Sequence, residues 1–130
     1  MSQKFTILFD LDGTLVNTAP DLMRAHNHVM IKYGYNERKL SDIRKLAGRG
    51  SKVMLTKSIH ELAELSGKVK KTDDVIENMT KEFIDYYSKN IVTESTLKKG
   101  VLNFLTWCKK NSISMGVCTN KQEHLSIDLL

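Results

Sequence analysis

The chain has 130 residues, of which 41% are hydrophobic and 27% are charged, proportions typical of a soluble globular protein of one domain. The formal net charge of +5 is mild, and the basic residues form scattered pairs with little aromatic interleaving, which argues against nucleic-acid binding. No apolar run approaches the length of a membrane span, and the first residues lead into a strand rather than a signal peptide. We therefore expect a cytoplasmic protein with no membrane partner.

The first informative segment is FDLDGTL, residues 9–15. It follows an apolar run, Phe5 to Phe9, with the composition of a buried parallel strand. Alternate residues of a strand face the same way, so Asp10 and Asp12 are predicted to share one side of its carboxyl end, where open α/β sheets bind ligands. Two carboxylates this close require a cation or a shared proton. Mg²⁺ is the simplest cation, with Asp10 and Asp12 as its metal ligands.

Gly13 extends this prediction, because glycine permits a sharp turn and brings backbone N–H groups close to an anion. Thr14 adds a hydroxyl. An Asp-x-Asp pair alone would indicate only an acidic turn at a strand end. The preceding strand and the following Gly-Thr-Leu favour a functional site.

The middle of the chain is predicted to be helical, since apolar residues recur there at helical spacing between capping and stop residues. We predict four amphipathic helices that bury their apolar faces against one another as a small bundle. They run between Thr18 and Gly34, between Ser41 and Gly48, between Ser51 and Gly67, and from Thr72 onward. The bundle, residues 16–93, is interpreted as a cap inserted into the sheet domain.

Strand and helix alternate again after the cap. Residues 100–111 are predicted to form a helix and residues 113–118 a second buried strand, which ends at Thr119-Asn120-Lys121. From Gln122 a further helix begins, with its N-terminus placed to favour an anion.

The segment FDLDGTL resembles the first signature of the haloacid dehalogenase-like (HAD) phosphohydrolases. Residues 16–22, VNTAPDL, are similar to the phosphoglycolate phosphatase branch, apart from Asn17, where that branch often has Asp. Thr119-Asn120-Lys121 resembles the second signature of the family. The resemblance implies an α/β fold with a Rossmann-like parallel sheet core, of which only two strands are present, and an inserted helical bundle cap. The domains would be residues 1–15 with 94–130 for the core and 16–93 for the cap.

The resemblance also implies a mechanism, phosphoryl transfer through an aspartyl-phosphate with Mg²⁺ as cofactor. Asp10 would be the nucleophile and a metal ligand, and Asp12 the general acid and base. Gly13, Thr119 and Asn120 would bind the phosphate. Arg49, in the cap loop Gly48-Arg49-Gly50, would pair with a substrate carboxylate such as that of 2-phosphoglycolate, although a solvated arginine between helices is an equal alternative.

The family pattern continues with a basic loop that supplies a lysine and with a strand that ends in acidic residues, and neither follows Asn120 here. Lys121 already belongs to the second signature, so we give little weight to its replacing that lysine. We expect the N-terminal part of a larger phosphatase that acts on a small phosphorylated metabolite. The alternatives are a sugar-phosphate mutase of the same superfamily and a non-catalytic remnant; the oligomeric state is left open.

Overall fold

The computed structural model describes residues 5–66 and 73–130. The predicted helix boundaries at Gly67 and Thr72 lie outside these residues. Within them, the elements in chain order are β1 (Thr6–Phe9), β2 (Val16–Asn17), α1 (Ala19–Lys32), α2 (Leu40–Leu46), α3 (Ser51–Ser66), α4 (Asp73–Lys89), β3 (Thr96–Leu97), α5 (Val101–Lys110), β4 (Ser114–Val117) and α6 (Glu123–Leu129).

The two longer strands form a parallel pair, with Thr6 opposite Ser114 and Phe9 opposite Val117. The helix α5 connects back to this sheet, as expected for a parallel crossover. The predicted α/β class is therefore confirmed. Because parallel strands end at the same edge, the loops after β1 and β4 lie side by side, and this edge carries both sequence motifs.

The strands themselves are less buried than their apolar composition predicts. Leu8 is 67% exposed, and Met115 and Val117 are also exposed. Phe9, by contrast, packs in a small cluster with Leu11 and side chains of α5. The prediction of fully buried strands is therefore wrong for the described chain, because a pair of strands covered on one face leaves the other face to solvent.

The largest hydrophobic core lies among α1, α2, α3 and α4, which pack as predicted from their apolar spacing. The buried side chains of α4 include Ile76, Met79, Phe83 and Tyr87. Leu125 of α6 joins the same core, so the bundle rests against the helix that follows the second motif.

Helix boundaries follow local sequence signals except at the predicted serine caps of α2 and α3, since α3 begins at Ser51 itself. Pro20 lies in the first turn of α1, and Gly34 ends that helix with φ +83°. Ser41 does not cap α2, because the helix begins one residue earlier and Lys39 holds the N-cap position.

Two short segments connect the bundle to the sheet. Val16 pairs with Leu97 and Asn17 with Thr96 in the antiparallel ribbon of β2 and β3. Asp21 of α1 reinforces this connection, since its buried carboxylate accepts bonds from the backbone N–H groups of residues 93–95 and from a serine hydroxyl. The predicted division at residues 16–93 stays a prediction.

Candidate active site

A cavity of about 220 Å³ lies where the sheet edge faces the helical bundle. Its polar lining comes mainly from the two motifs and from the loop between α2 and α3. Its apolar lining comes from the bundle and from α6, and includes Leu22, Met54, Phe83, Tyr87 and Leu125. The cavity therefore has a charged floor and an apolar roof.

Asp10 and Asp12 both line this cavity, as the strand periodicity predicts. Asp10 is exposed, and its Oδ1 accepts a hydrogen bond from the backbone N–H of Leu11 at 2.8 Å. Asp12 is partly buried, and its Oδ1 accepts bonds from the Thr18 hydroxyl at 2.7 Å and from Lys121 Nζ at 2.6 Å. The two carboxylates differ, because Asp12 is held by side chains and Asp10 is open to solvent.

Lys121 is the most buried charged group at the site, with a side chain only 5% exposed. Its ammonium donates to Asp12 and also to the Tyr87 hydroxyl of α4 at 2.8 Å. Burial lowers the pKa of Lys121, and the neighbouring Asp12 carboxylate opposes that shift. Burial also raises the pKa of Tyr87, and nearby carboxylates add to the increase, so its hydroxyl stays protonated at neutral pH.

Thr119 and Asn120 follow β4 and line the same cavity. The Thr119 hydroxyl accepts a bond from the backbone N–H of Lys121 at 3.1 Å, which shapes the turn. The Asn120 amide donates to the Gly48 carbonyl at 2.8 Å, so it joins the sheet edge to the loop between α2 and α3. Gly50 of the same loop also lies close to Asn120. A Cβ added at Gly50 would be 3.5 Å from the backbone carbonyl oxygen of Asn120.

Of the two remaining predicted site residues, Arg49 lies at the cavity and Gly13 lies away from it. Arg49 lines the cavity from the loop between α2 and α3 and is exposed. Gly13 adopts the predicted turn with φ +78°, but its N–H donates to the Val16 carbonyl at 2.7 Å, and the residue does not line the cavity. The structure thus brings together Asp10, Asp12, Thr119, Asn120 and Arg49, and leaves Gly13 in a structural turn.

Comparison with known proteins identifies the family of the chain. Residues 7–130 match the family described as haloacid dehalogenase-like hydrolase. The chain belongs to this family. The phosphoglycolate phosphatase of Caulobacter vibrioides is 36% identical over 126 residues, which are 96% of this chain and 51% of the relative. That of Mesorhizobium japonicum is 33% identical over 124 residues, which are 95% of this chain and 52% of the relative.

A crystal structure described as a predicted phosphoglycolate phosphatase from Haemophilus somnus superposes with a TM-score of 0.86 at 28% identity. The match covers 95% of this chain and 55% of that structure. The chain therefore spans about half the length of the HAD relatives it matches.

The donor chemistry of the site suits the Mg²⁺ on which HAD phosphatases generally depend. Mg²⁺ takes oxygen ligands and is commonly held by one or two carboxylates together with substrate phosphate and water. The open carboxylate of Asp10 fits this role, whereas Asp12 already shares its Oδ1 with an ammonium. Among residues 5–66 and 73–130, no group of three or more His, Cys, Asp or Glu side chains converges as a metal site. The same residues contain no helix with the length and apolar character needed to cross a bilayer.

Three residues at the site carry no separate functional signal in the sequence. Lys121 belongs to the second motif, Thr18 marks a helix start, and Tyr87 lies within the helix predicted from Thr72 onward. Thr18 and Lys121 contact Asp12 directly, and Tyr87 contacts it through Lys121. Asp12 and Lys121 are 109 positions apart in the sequence, so their contact follows only from the fold. A lysine directly after the predicted phosphate-binding pair was the one available signal.

Proposed function

We propose that this chain carries the nucleophile and the general acid of a Mg²⁺-dependent phosphatase that hydrolyses a small phosphate monoester, 2-phosphoglycolate in the first instance. The observation that carries the proposal is the meeting of Asp10 and Asp12 with Thr119 and Asn120 at one cavity. The names of the relatives support the choice of substrate. The activity is proposed for the chain together with the half that those relatives also possess.

In the first step, an Asp10 carboxylate oxygen attacks phosphorus and the bond from phosphorus to the ester oxygen breaks. Asp12 enters this step protonated and donates that proton to the departing alkoxide, so the alcohol leaves neutral and Asp12 is left as a carboxylate. In the second step, Asp12 takes a proton from water, the resulting hydroxide attacks phosphorus, and the bond to Asp10 breaks. Inorganic phosphate is released, and both carboxylates return to their starting states.

The surrounding residues have binding roles in this proposal. The Thr119 hydroxyl and the Asn120 amide bind the phosphoryl oxygens, and the N-terminal end of the loop leading into α6 adds backbone N–H groups. Arg49 lines the cavity from the loop between α2 and α3, where its guanidinium would pair with the carboxylate of 2-phosphoglycolate. Gly13 keeps its turn, which lets the chain pass sharply from Asp12 to Leu15.

Mg²⁺ would be held by Asp10, with Asp12 as the second candidate ligand, and would neutralise phosphoryl charge when bound. The side chains of Phe83, Met54 and Leu125 give the cavity an apolar lining beside the charged groups. Apolar surroundings strengthen the electrostatic stabilisation on which phosphoryl transfer depends.

The test is a steady-state assay of 2-phosphoglycolate hydrolysis in Mg²⁺. The chain is joined to, or mixed with, the remaining half of the Caulobacter relative, and phosphate release is measured. The expected result is turnover in the completed protein, and a loss of roughly a thousandfold or more in Asp10→Asn. Asp128→Asn, at an exposed position on α6, is the matched control and should retain activity.

The same assay separates the alternatives. Transfer of the phosphoryl group to an added sugar phosphate rather than to water would favour the mutase. No turnover in the completed protein with any monoester would favour the non-catalytic remnant and refute the proposal.

A further inference from the structure

Lys121 connects three parts of the molecule at one buried point. It follows β4, its ammonium lies 2.6 Å from Asp12 Oδ1 in the loop after β1, and it lies 2.8 Å from the Tyr87 hydroxyl on α4. The Lys121 side chain is 5% exposed, that of Asp12 is 14% exposed, and Tyr87 is 1% exposed. These contacts are short and shielded from water, so their geometry is well determined by the fold.

The environment of Asp12 is asymmetric. Both the Thr18 hydroxyl and Lys121 Nζ donate to the same oxygen, Oδ1. Two donors on one oxygen fix the rotation of the carboxylate, because moving it would leave a buried ammonium without its charged partner. Tyr87 in turn fixes the ammonium from the bundle side. A change in the position of α4 would therefore be transmitted to Asp12 through Lys121.

We infer that Lys121 is a positioning residue, which holds the Asp12 carboxylate in the orientation needed for proton transfer and makes that orientation depend on the contact with Tyr87 of the bundle. This inference rests on the proposed function, since it assigns Lys121 a role in the proton-transfer part of that reaction. Asn120 supports the coupling, because its bond to Gly48 joins the bundle to the same sheet edge.

A role in proton transfer has a distinctive consequence for substrates. An ester with a poor leaving group needs a proton on the departing oxygen, whereas p-nitrophenolate leaves without one. Loss of Lys121 should therefore slow the two kinds of ester unequally. If Lys121 instead bound the phosphoryl group, both esters would be slowed alike, because both carry the same phosphoryl group.

The first experiment compares kcat for 2-phosphoglycolate and p-nitrophenyl phosphate in the completed protein. Lys121→Met removes the charge while keeping a similar length, and we expect a loss of about tenfold to a hundredfold with 2-phosphoglycolate. With p-nitrophenyl phosphate the loss should stay within about threefold, and Tyr87→Phe should show the same discrimination to a smaller degree. Lys109→Met, at an exposed position on α5, should leave both rates unchanged. Equal losses on both esters, or no loss, would overturn the inference.

The second experiment needs no catalysis. Urea midpoints of the completed protein are measured by circular dichroism for Asp12→Asn, Tyr87→Phe and the double variant, with and without Lys121→Met. If Lys121 connects the two groups, their effects are non-additive with Lys121 present and additive without it. Additive effects in both backgrounds would overturn the coupling. Failure of the parent protein to hydrolyse either ester would refute the proposed function. The urea comparison of single and double variants would still decide whether Lys121 joins Asp12 to the bundle.

Discussion

At the scale of single residues, the charge balance around Asp12 determines how the site receives a cation. Lys121 already provides a positive charge at 2.6 Å from Asp12, so the close carboxylate pair is relieved in part without a metal. Asp10 is left as the open carboxylate of the site. A dehydrated Mg²⁺ needs more oxygen ligands than this pair supplies on its own.

We therefore predict that the 130-residue chain binds Mg²⁺ only weakly. Isothermal titration calorimetry at low ionic strength is the measurement, and Asp10→Asn should remove the remaining signal. A binding constant in the micromolar range, or binding that survives Asp10→Asn, would contradict this and would require another set of ligands.

His26 is the second residue with a charge state determined by its surroundings. It is fully buried in the bundle, where its Nε2 lies 2.7 Å from the Ser58 hydroxyl and its Nδ1 lies 2.9 Å from Asn27 Oδ1. The Arg38 guanidinium also donates to Ser58 and is paired with Glu61. With Nδ1 protonated, the neutral ring satisfies all of these bonds, whereas an imidazolium would compete with arginine for the serine oxygen.

Burial accordingly lowers the pKa of His26 below its ordinary value of 6.5, and the positive charge of Arg38 acts in the same direction, against the Asn27 bond. The unfolded chain then binds more protons than the folded chain below pH 6.5. Stability is fully present above that pH and is lost progressively as the pH falls toward the lowered pKa. Urea unfolding between pH 8 and pH 5 measures this loss. His26→Gln should flatten the dependence and His60→Gln, at an exposed position, should not; an unchanged slope in His26→Gln would contradict the assignment.

At the scale of elements, Asp21 binds the segment that connects α4 to β3. Its buried carboxylate accepts bonds from the N–H groups of Thr93, Glu94 and Ser95 at 2.8–3.1 Å. Asp21→Asn replaces one acceptor oxygen with a donor that faces N–H groups. We predict a loss of about 1.5–3 kcal/mol in the free energy of unfolding. Asp128→Asn is the exposed control, and equal midpoints for the two variants would show that the connection does not depend on this carboxylate.

The elements also show which parts of the fold are readable in the sequence. The helices α1, α3 and α5 follow from apolar spacing with glycine or proline at their ends, α4 from apolar spacing after Thr72, and β1 and β4 from short apolar runs. The ribbon of β2 and β3 was not predicted, because strands of two residues have no periodicity. The placement of Asp10 and Asp12 follows from strand alternation, whereas Lys121 reaches Asp12 only through the parallel pairing of β1 with β4.

At the scale of the whole molecule, the chain exposes apolar side chains on the uncovered face and along the flanks of its small sheet. They include Phe5, Leu8, Leu102 and Trp107, which are 52–67% exposed. Exposed apolar surface next to unpaired strand edges favours association. The bundle, in contrast, buries its own apolar faces.

We predict that the 130-residue chain is helical but associates as its concentration rises, with a broad thermal transition. Sedimentation velocity across a concentration series and melting followed by circular dichroism are the measurements. Leu8→Lys should reduce association, whereas Val53→Lys, at a less exposed position on α3, should have little effect. A monodisperse monomer with a sharp, reversible transition would contradict this prediction.

The central claim is that Asp10 is phosphorylated during turnover. The most direct measurement is mass spectrometry of the peptide containing Asp10, after acid quench of the completed protein with 2-phosphoglycolate. We expect a phosphoryl adduct on Asp10 that is absent in Asp10→Asn and accumulates in Asp12→Asn with p-nitrophenyl phosphate, because hydrolysis of the adduct then lacks its base. Turnover without any adduct, or an adduct that persists in Asp10→Asn, would contradict it.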